Sequence, residues 1–523
     1  MTDDIDVGII GSGLGGLTAA AFLAAAGKRV MLFERAHIPG GNATSYSRRA
    51  ARFDVGLHYL GECEDDGIVR WILDSAGAKV TFRRLDSQGF DIVRGPTWEL
   101  AIPCDWSEYR ERLVAQWPAH RADLVEYFRL VGAIGEAVRG SLRGAVTVSP
   151  ATAAPALIRL LRHRNTTVAE LFDRLGFPPD LRAQLSAYNA YYGLPPSRTP
   201  LILHAGAATH FRRGAYYPIG GAGAITDALV DVIERNGGQI RLLSEVERIL
   251  VRRHSVEGLR IREKGTSYDV RVSTVVSNAD WKRTVLELLG QDQTTAGQFS
   301  RAASAHTAYP MYLLSLLIDR DLHAEGFGAR NFLDIGDIDL EAQYLALDRG
   351  RMPERPQVLF CSANLKDPSA QDSAPIGCSS IQLMSPVPGD PRFWGAPAGP
   401  ASGVRYRRRE SYLAAKKSVS DQLVAAAESI VPGLRSSIVH TTDGSPFSHE
   451  RFIGSSGGSP YGLSSTPDQF MLNRPLPVTG IRGLYLVGAN VVFGSGVVSA
   501  MVSGSAVATL LLRSKVVRRT RVA

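Results

Sequence analysis

The chain has 523 residues, of which 45% are apolar and 21% charged, and its net charge is +8. This composition is typical of a globular protein with a few structural units, and it excludes disordered, collagen-like and disulfide-scaffold classes. Four widely spaced cysteines form no CxxC pair, so we expect a reducing compartment, no disulfide framework and no metal site.

A dinucleotide-binding motif opens the chain. An apolar run over Asp6–Ile10 predicts a buried strand, an alanine-rich stretch to Ala26 predicts a helix, and Arg29–Phe33 predicts the next strand. The turn between the first strand and the helix carries a GxGxxG sequence, formed by Gly11, Ser12, Gly13, Leu14, Gly15 and Gly16. This motif in this context predicts that the helix N-terminus binds a pyrophosphate.

An acidic residue completes the motif. Glu34 ends the second strand, where a carboxylate accepts hydrogen bonds from a ribose hydroxyl. A carboxylate at this position disfavours a 2′-phosphate, so FAD or NAD is favoured over NADP. A second strand–GxGxxG–helix unit for a nicotinamide is not found, since Gly220–Gly223 is interpreted as a loop.

Three later segments resemble parts of flavoproteins that have two dinucleotide-binding domains. Arg35 is followed by Gly40, Gly41 and Asn42, which resemble a second FAD contact. A strand over Ser244–Ile249 resembles the one in which a valine, here Val246, contacts adenine; the next strand ends at Asn278. Near the C-terminus lies the third segment, which resembles the one that approaches the flavin ring and includes Gly488, Ala489, Asn490, Gly496, Val497 and Val498.

Four motifs narrow the resemblance to phytoene desaturases, carotenoid isomerases and retinol saturases. They are Phe53–Gly61, Tyr217–Gly221, Ser445–Phe452 with Gly457–Gly462, and Gly483–Ala489. The resemblance implies an α/β fold, with a discontinuous Rossmann-like FAD-binding domain and an inserted α+β substrate domain. The FAD domain is expected to comprise residues 1–103, 215–285 and 441–523, and the substrate domain 104–214 and 286–440.

The same resemblance implies a FAD-dependent enzyme that desaturates, saturates or isomerises C=C bonds of a conjugated polyene or a polyunsaturated lipid-like substrate. Candidate catalytic residues are His58 and Tyr59, beyond the Gly-Gly segment, and the triplet His449, Glu450 and Arg451. The plainer interpretation of His58 and Tyr59 is a buried structural pair, and that of the triplet is a solvated loop. Two alternative functions remain: a flavin amine oxidase, and a non-catalytic binding protein like the GDP-dissociation inhibitors.

Partners and location follow from charge and hydropathy. The basic residues are scattered and no nucleic-acid module accompanies them, so a solvated surface is favoured and nucleic acid is not expected. Alternatives are an acidic acyl carrier protein that delivers the substrate, or peripheral membrane contact through the basic helix predicted over Ala154–Arg164. The chain starts without a secretory signal, and the uncharged stretch Leu484–Leu512 is interrupted by glycines. We therefore predict a strand, a loop and a buried helix there, and a cytoplasmic protein.

Overall fold

The computed structural model describes residues 5–147, 150–370 and 372–514, and at residues 150–153 it describes the backbone alone. The strands are β1 (Val7–Ile10), β2 (Val30–Phe33), β3 (Ser45–Arg48), β4 (Ala51–Asp54), β5 (Phe82–Arg84), β6 (Asp91–Arg94), β7 (Glu99–Ile102), β8 (Tyr216–Pro218), β9 (Gln239–Arg241), β10 (Ser244–Arg252), β11 (Ser255–Glu263), β12 (Thr266–Arg271), β13 (Val275–Ser277), β14 (Met311–Ile318), β15 (Asn331–Asp334), β16 (Val358–Cys361), β17 (Ser379–Pro386), β18 (Ile438–Gly444) and β19 (Leu484–Leu486).

The helices are α1 (Leu14–Ala25), α2 (Ile68–Ala76), α3 (Trp106–Gln116), α4 (Arg121–Thr147), α5 (Pro150–Leu161), α6 (Val168–Arg174), α7 (Pro179–Leu185), α8 (Asn189–Tyr192), α9 (Leu201–Thr209), α10 (Gly223–Arg235), α11 (Trp281–Arg283), α12 (Ala296–Ser304), α13 (Leu340–Asp348), α14 (Ala363–Lys366), α15 (Glu410–Ala427), α16 (Pro446–Phe452) and α17 (Val497–Arg513). A π-helical turn covers Thr284–Leu289. Short 3₁₀ turns cover Pro118–His120, Pro196–Arg198, Pro400–Ser402, Leu434–Ser437, Ser456–Gly458, Pro467–Gln469 and Met471–Asn473.

A parallel sheet with the order β19-β13-β1-β2-β9 carries the dinucleotide end of the chain. Strands β1 and β2 are apolar, as is typical of parallel strands that are covered on both faces, and every residue of β1 is buried. Helix α1 contacts α10 and α17, and its leucines and alanines favour helix. It ends before Gly27, which adopts a left-handed conformation with φ of +77°. The predicted strands and helix are therefore confirmed.

A mixed sheet with the order β18-β14-β17-β16-β15-β6-β7 forms the second large unit. In strand β14, which lies between β18 and β17, Met311 and Leu313 belong to the apolar core formed with helices α3 to α9. Tyr312 and Leu314 belong to the core on the other face, under α15. This alternation is the two-residue period of a strand that is buried on both faces.

The antiparallel sheet β10-β11-β12 and the pairs β3–β4 and β5–β8 complete the strands. Strand β8 pairs antiparallel with β5, so Tyr216–Pro218 does not begin a second nucleotide-binding unit. The predicted mixed α/β class is confirmed. The predicted domain boundaries stay a prediction, although β6 and β7 pair within the same sheet as β14 to β18.

Two other predictions can be compared with the structure. The stretch Leu484–Leu512 forms β19, a loop and the largely buried helix α17, as expected. Within the described ranges, no helix has the length and apolar character needed to cross a membrane. The abundance of proline, glycine and serine over residues 363–403 predicts irregular connections, and this prediction is wrong for β17, all of whose residues are buried. Because it contains serines, a glutamine and a proline, β17 lacks the apolar pattern by which an interior strand is usually predicted from sequence.

Candidate active site

The loop between β1 and α1 is built so that its backbone comes close to other segments. A Cβ at Gly16 would lie 2.2 Å from the carbonyl oxygen of Gly11, and one at Gly13 would lie 2.7 Å from Nδ2 of Asn278. Gly11 itself has a φ of +86°, which favours glycine. A Cβ at Gly15 would lie 2.8 Å from the backbone nitrogen of Gly488. The loop thus meets two distant chain segments at the start of α1.

The first turn of α1 is left available to an anion. Its N-cap, Gly13, makes no capping hydrogen bond with a side chain, and no acidic residue stands in the first turn, which starts at Leu14. The first N–H groups of a helix have no partner within the helix and attract negative charge. These residues therefore fit a pyrophosphate, as the sequence motif predicts.

Glu34 lies beside this loop, and its side chain is 9% exposed. Its Oε2 accepts hydrogen bonds from the backbone nitrogen of Ser12 at 2.9 Å and from Oγ of Ser12 at 2.7 Å. Its Oε1 accepts one from the backbone nitrogen of Ala36 at 2.8 Å. The carboxylate is thus oriented by the protein at the end of β2, the position that a ribose hydroxyl requires.

The Gly-Gly segment contacts the same loop. The nitrogen of Gly40 donates to the carbonyl oxygen of Ser12 at 3.1 Å, and a Cβ at Gly41 would lie 3.3 Å from Cα of Gly13. The next side chain, Asn42, donates through Nδ2 to the carbonyl oxygen of Pro460 at 3.2 Å. Its Oδ1 is buried without a hydrogen-bond partner, and such a group usually has a ligand or water as partner.

The C-terminal segment contacts the glycine loop through Gly488, whose nitrogen lies close to Gly15. Gly488, with a φ of +92°, donates its N–H to Oγ of Ser503 at 2.7 Å. Oδ1 of Asn490 accepts from the nitrogen of Leu463 at 2.8 Å. Helix α17 begins at Val497, as predicted, and its N-cap is Gly496 with a φ of +101°.

A buried arginine that the sequence did not single out supports this segment. Arg474 is 1% exposed and donates through Nη2 to the carbonyl oxygen of Ala489 at 2.8 Å. Burial lowers its pKa to about 10. Since its remaining hydrogen bonds go to Ser465 and to backbone carbonyls, it orders the loop as a buried cation.

The mid-chain contacts predicted for adenine also lie near the end of β2. The nitrogen of Ser244, which begins β10, donates to the carbonyl oxygen of Glu34 at 2.8 Å. Val246 follows in that strand and is buried. Arg35 donates to the carbonyl oxygens of Glu450 at 3.1 Å and of Arg451. The segments predicted to bind the cofactor are therefore brought together, and the roles of their individual residues stay a prediction.

His58 and Tyr59 lie in the segment that follows β4. Nε2 of His58 is buried without a partner, and burial lowers its pKa to about 3, so the imidazole is neutral. The hydroxyl of Tyr59 donates to Oδ2 of Asp91 at 2.6 Å and lies 2.6 Å from the hydroxyl of Tyr191. Nζ of Lys366 donates to the carbonyl oxygen of His58 at 2.7 Å.

The second predicted triplet lies in α16. His449 is buried, and burial lowers its pKa to about 4. Glu450 accepts a hydrogen bond from the nitrogen of Ala401 at 2.7 Å, and burial raises its pKa. Arg451 is exposed. Because Arg35 binds the carbonyls of this triplet, the triplet lies beside the end of β2. Its catalytic role stays a prediction.

Sequence reasoning missed Asp91 and Lys366, both 1% exposed or less. Asp91 lies between Phe90 and the apolar pair Ile92 and Val93, which is a usable signal since buried carboxylates need partners. Lys366 is the last residue of the short helix α14, and nothing in its sequence neighbourhood marks it as buried. Tyr191 belongs to the sequence Asn189–Gly193, which suits the wall of a tunnel and a packed core equally well.

Comparison with known proteins agrees with this class of fold and site. A family model described as an NAD(P)-binding Rossmann-like domain matches residues 9–76. A crystal structure of an oxidoreductase from Methanosarcina mazei has a TM-score of 0.65 at 18% identity, over 96% of this chain and 99% of that one. Cyclohexylamine oxidase from Brevibacterium oxydans has a TM-score of 0.61 at 16% identity, over 98% of this chain and 100% of that one. The fold and site thus define a dinucleotide-binding α/β protein.

Curated relatives are similar over nearly the whole chain. An all-trans-retinol 13,14-reductase of Macaca fascicularis is 27% identical over 95% of this chain and 84% of its own. A lycopene-forming phytoene desaturase of Pseudescherichia vulneris is 28% identical, over 96% and 98%. A chloroplastic prolycopene isomerase of Daucus carota is 24% identical, over 96% and 79%. The resemblance to carotenoid and retinoid oxidoreductases and isomerases, predicted from the motifs, is therefore confirmed.

Proposed function

We propose that this protein is a FAD-dependent enzyme that acts on C=C bonds of a conjugated polyene or a polyunsaturated lipid-like substrate, by desaturation, saturation or cis–trans isomerisation. One observation carries the proposal. The glycine loop, the Gly-Gly segment and the C-terminal segment meet around Gly13, Gly40 and Gly488, and relatives with polyene-modifying names align across both units of the fold.

The protein's own groups would bind and orient the cofactor. The N–H groups at the start of α1 would hold the pyrophosphate, and Glu34 would accept a hydrogen bond from a ribose. The N-terminus of α17 at Val497 favours negative charge close to it. Bound FAD supplies the hydride or electron chemistry that the side chains present here lack.

The substrate would lie on the side of His58 and Tyr59. Half-buried aromatic side chains, among them Tyr191 and Tyr461, pack against the core beneath helices α3 to α9, and contact with them would suit a lipophilic chain. A neutral His58 and a hydrogen-bonded Tyr59 would position the polyene or move a proton. Delivery by an acidic acyl carrier protein and peripheral membrane contact remain subsidiary proposals, supported by the basic surface alone.

The test is product analysis with purified protein. All-trans-retinol, phytoene and a poly-cis lycopene are each supplied in detergent micelles, with the flavin either oxidised or chemically reduced beforehand. We expect bound FAD, and one polyene whose product has lost two hydrogens, gained two hydrogens, or kept its mass with a new geometry. Cyclohexylamine serves as the control, because the amine oxidase likeness rests on the fold alone. Oxidation of the amine without polyene conversion would overturn the proposal, and so would a colourless protein.

A further inference from the structure

A chain of short hydrogen bonds links a buried carboxylate to a half-buried tyrosine. Asp91 is 0% exposed and accepts the proton of the Tyr59 hydroxyl at 2.6 Å. The hydroxyl of Tyr191 lies 2.6 Å from that of Tyr59. Because Tyr59 has one hydroxyl proton, and it points to Asp91, Tyr191 must be the donor in the second bond. The bonds therefore run in one direction, from Tyr191 through Tyr59 to Asp91.

The far end of this chain is connected to the candidate cofactor segments through the backbone next to Tyr191. Tyr191 is partly exposed, whereas Tyr59 is buried. Ala190, the residue before Tyr191, accepts a hydrogen bond through its carbonyl oxygen from the hydroxyl of Tyr461 at 2.9 Å. Tyr461 follows Pro460, which is held by Asn42 of the Gly-Gly segment. Asn42 of the Gly-Gly segment is thus connected to Tyr191 through Pro460, Tyr461 and Ala190.

The carboxylate is held in place from its other side. Oδ1 of Asp91 accepts a hydrogen bond from Nδ2 of Asn331 at 3.0 Å. Nζ of Lys366 lies 5.7 Å from the ring centre of Tyr59, so a cation stands near the relay. The ring of Tyr59 is stacked on Phe211 with centroids 4.6 Å apart. These contacts fix the three groups in a geometry in which protons pass along existing hydrogen bonds.

We infer that Asp91, Tyr59 and Tyr191 form a proton relay that serves the C=C chemistry, with Tyr191 exchanging the proton with the substrate carbon. This inference rests on the proposed function. Tyr191 is the catalytic residue, while Tyr59 and Asp91 act through it.

Atoms and electrons balance in both directions. In desaturation, oxidised FAD would supply the acceptor for the hydride of one carbon, and the proton of the neighbouring carbon would pass to the oxygen of Tyr191. The hydroxyl proton of Tyr191 then passes to Tyr59, and that of Tyr59 to the carboxylate of Asp91. The electron pair of the second C–H bond becomes the new π bond. In saturation, which needs reduced FAD, every transfer is reversed and the neutral carboxyl of Asp91 is the proton source.

The pKa of Asp91 suits it both as the proton acceptor in desaturation and as the proton donor in saturation. Burial raises its pKa to about 6, against the hydrogen bonds from Tyr59 and Asn331 that lower it. An acid or base whose pKa lies near the working pH is the most effective in proton transfer. The other titratable groups that act on Asp91 or respond to it are Cys104, Tyr109, Tyr188, Tyr191, Cys361 and Lys366.

The first test compares Tyr191→Phe with Tyr192→Phe in the FAD-loaded protein. Tyr192 is the matched control, because it is adjacent and buried, and its hydroxyl faces Nδ1 of His204 at 3.4 Å instead of the relay. With the polyene that the wild-type protein converts, Tyr191→Phe is expected to slow conversion by about a hundredfold or more. Flavin content should stay equal in both variants. Equal rates in the two variants would overturn the relay.

The dependence of the conversion rate on pH distinguishes a role in proton transfer from a purely structural role. Desaturation needs the ionised carboxylate, so its rate should rise with pH through about 6, whereas saturation should fall through the same range. Asp91→Asn should remove this limb of the profile and keep the flavin bound. A limb that persists unchanged in Asp91→Asn would contradict the assignment.

A second measurement needs no substrate. Infrared difference spectra between acidic and neutral pH should show the carboxylic acid band of Asp91, absent from Asp91→Asn. In Tyr59→Phe the titration should move to higher pH, because the hydrogen bond that favours the carboxylate is lost. An identical titration in Tyr59→Phe would refute the relay. Failure of the wild-type protein to convert any polyene would refute the proposed function, and the relay with it, whatever the variants show.

Discussion

The contact between α1 and α17 leaves no room for a side chain at Gly504. A Cβ there would lie 2.3 Å from the carbonyl oxygen of Gly15 and 3.0 Å from the nitrogen of Ala19. Real Cβ contacts stay beyond 3.0 Å, so Gly504→Ala must separate the two helices by about 0.7 Å or more. Since α1 starts in the glycine loop and α17 starts near the candidate flavin position, this shift should disturb both cofactor contacts.

The magnitude follows from two opposing effects. Overpacking of this kind costs about 1–3 kcal/mol, while alanine gains up to about 1 kcal/mol over glycine inside a helix. We therefore expect Gly504→Ala to lose up to about 2 kcal/mol of unfolding free energy and to bind FAD more weakly. The control is Gly140→Ala in α4, where the new Cβ would lie 3.6 Å from the Cβ of Ala156, an ordinary contact.

Denaturant unfolding and FAD titration of the apoprotein measure both effects. Gly140→Ala should match or exceed the wild-type protein in stability and keep its FAD affinity. If Gly504→Ala were as stable as Gly140→Ala and bound FAD equally well, the reasoning about helix contact would be wrong.

Three further predictions concern charged and titratable groups. Glu34→Ala should abolish stable FAD binding and lower apoprotein stability by about 1–3 kcal/mol, because the N–H of Ser12 loses its acceptor; retention of flavin would contradict this role. His204 is buried, and burial lowers its pKa to about 4 from 6.5, so the unfolded chain takes up the proton first as pH falls. Up to about 3 kcal/mol of stability should be lost over that range, and urea unfolding should show a smaller loss in His204→Gln. Burial also lowers the pKa of Lys366, so wild-type stability relative to Lys366→Met should rise as pH increases towards the ordinary lysine value; a pH-independent difference would show that folding does not lower this pKa.

The dinucleotide end could be predicted from sequence because local geometry dictates its residues. The tight turn and the close approach at Gly11 and Gly16 admit glycine alone, and the helix start at Val497 follows from the preceding glycines. Strand β17 escaped prediction because its burial comes from neighbours on both sides, β14 and β16, and its polar residues lack the usual apolar pattern. Tertiary contacts override local propensity in such strands.

The relay residues could not be assembled from sequence for a related reason. Tyr59 lies in the segment after β4, Asp91 begins β6, and Tyr191 lies in α8. Only the packing of the mixed sheet against the helices brings their polar atoms within 2.6 Å. Tyr59 was predicted to act at the site, but its partners were not. The buried Lys366 runs against the usual exposure of lysine, so composition and periodicity give no warning of it.

The most direct measurement for the central claim is the visible absorbance of the bound flavin during anaerobic titration with a conjugated polyene. The account predicts a yellow protein whose flavin either bleaches as the polyene is desaturated or, when reduced beforehand, regains its colour as the polyene is saturated; an isomerase would instead convert the polyene without net change in flavin colour. A protein that carries no flavin, or whose flavin and polyene both stay unchanged in either redox state, would contradict it.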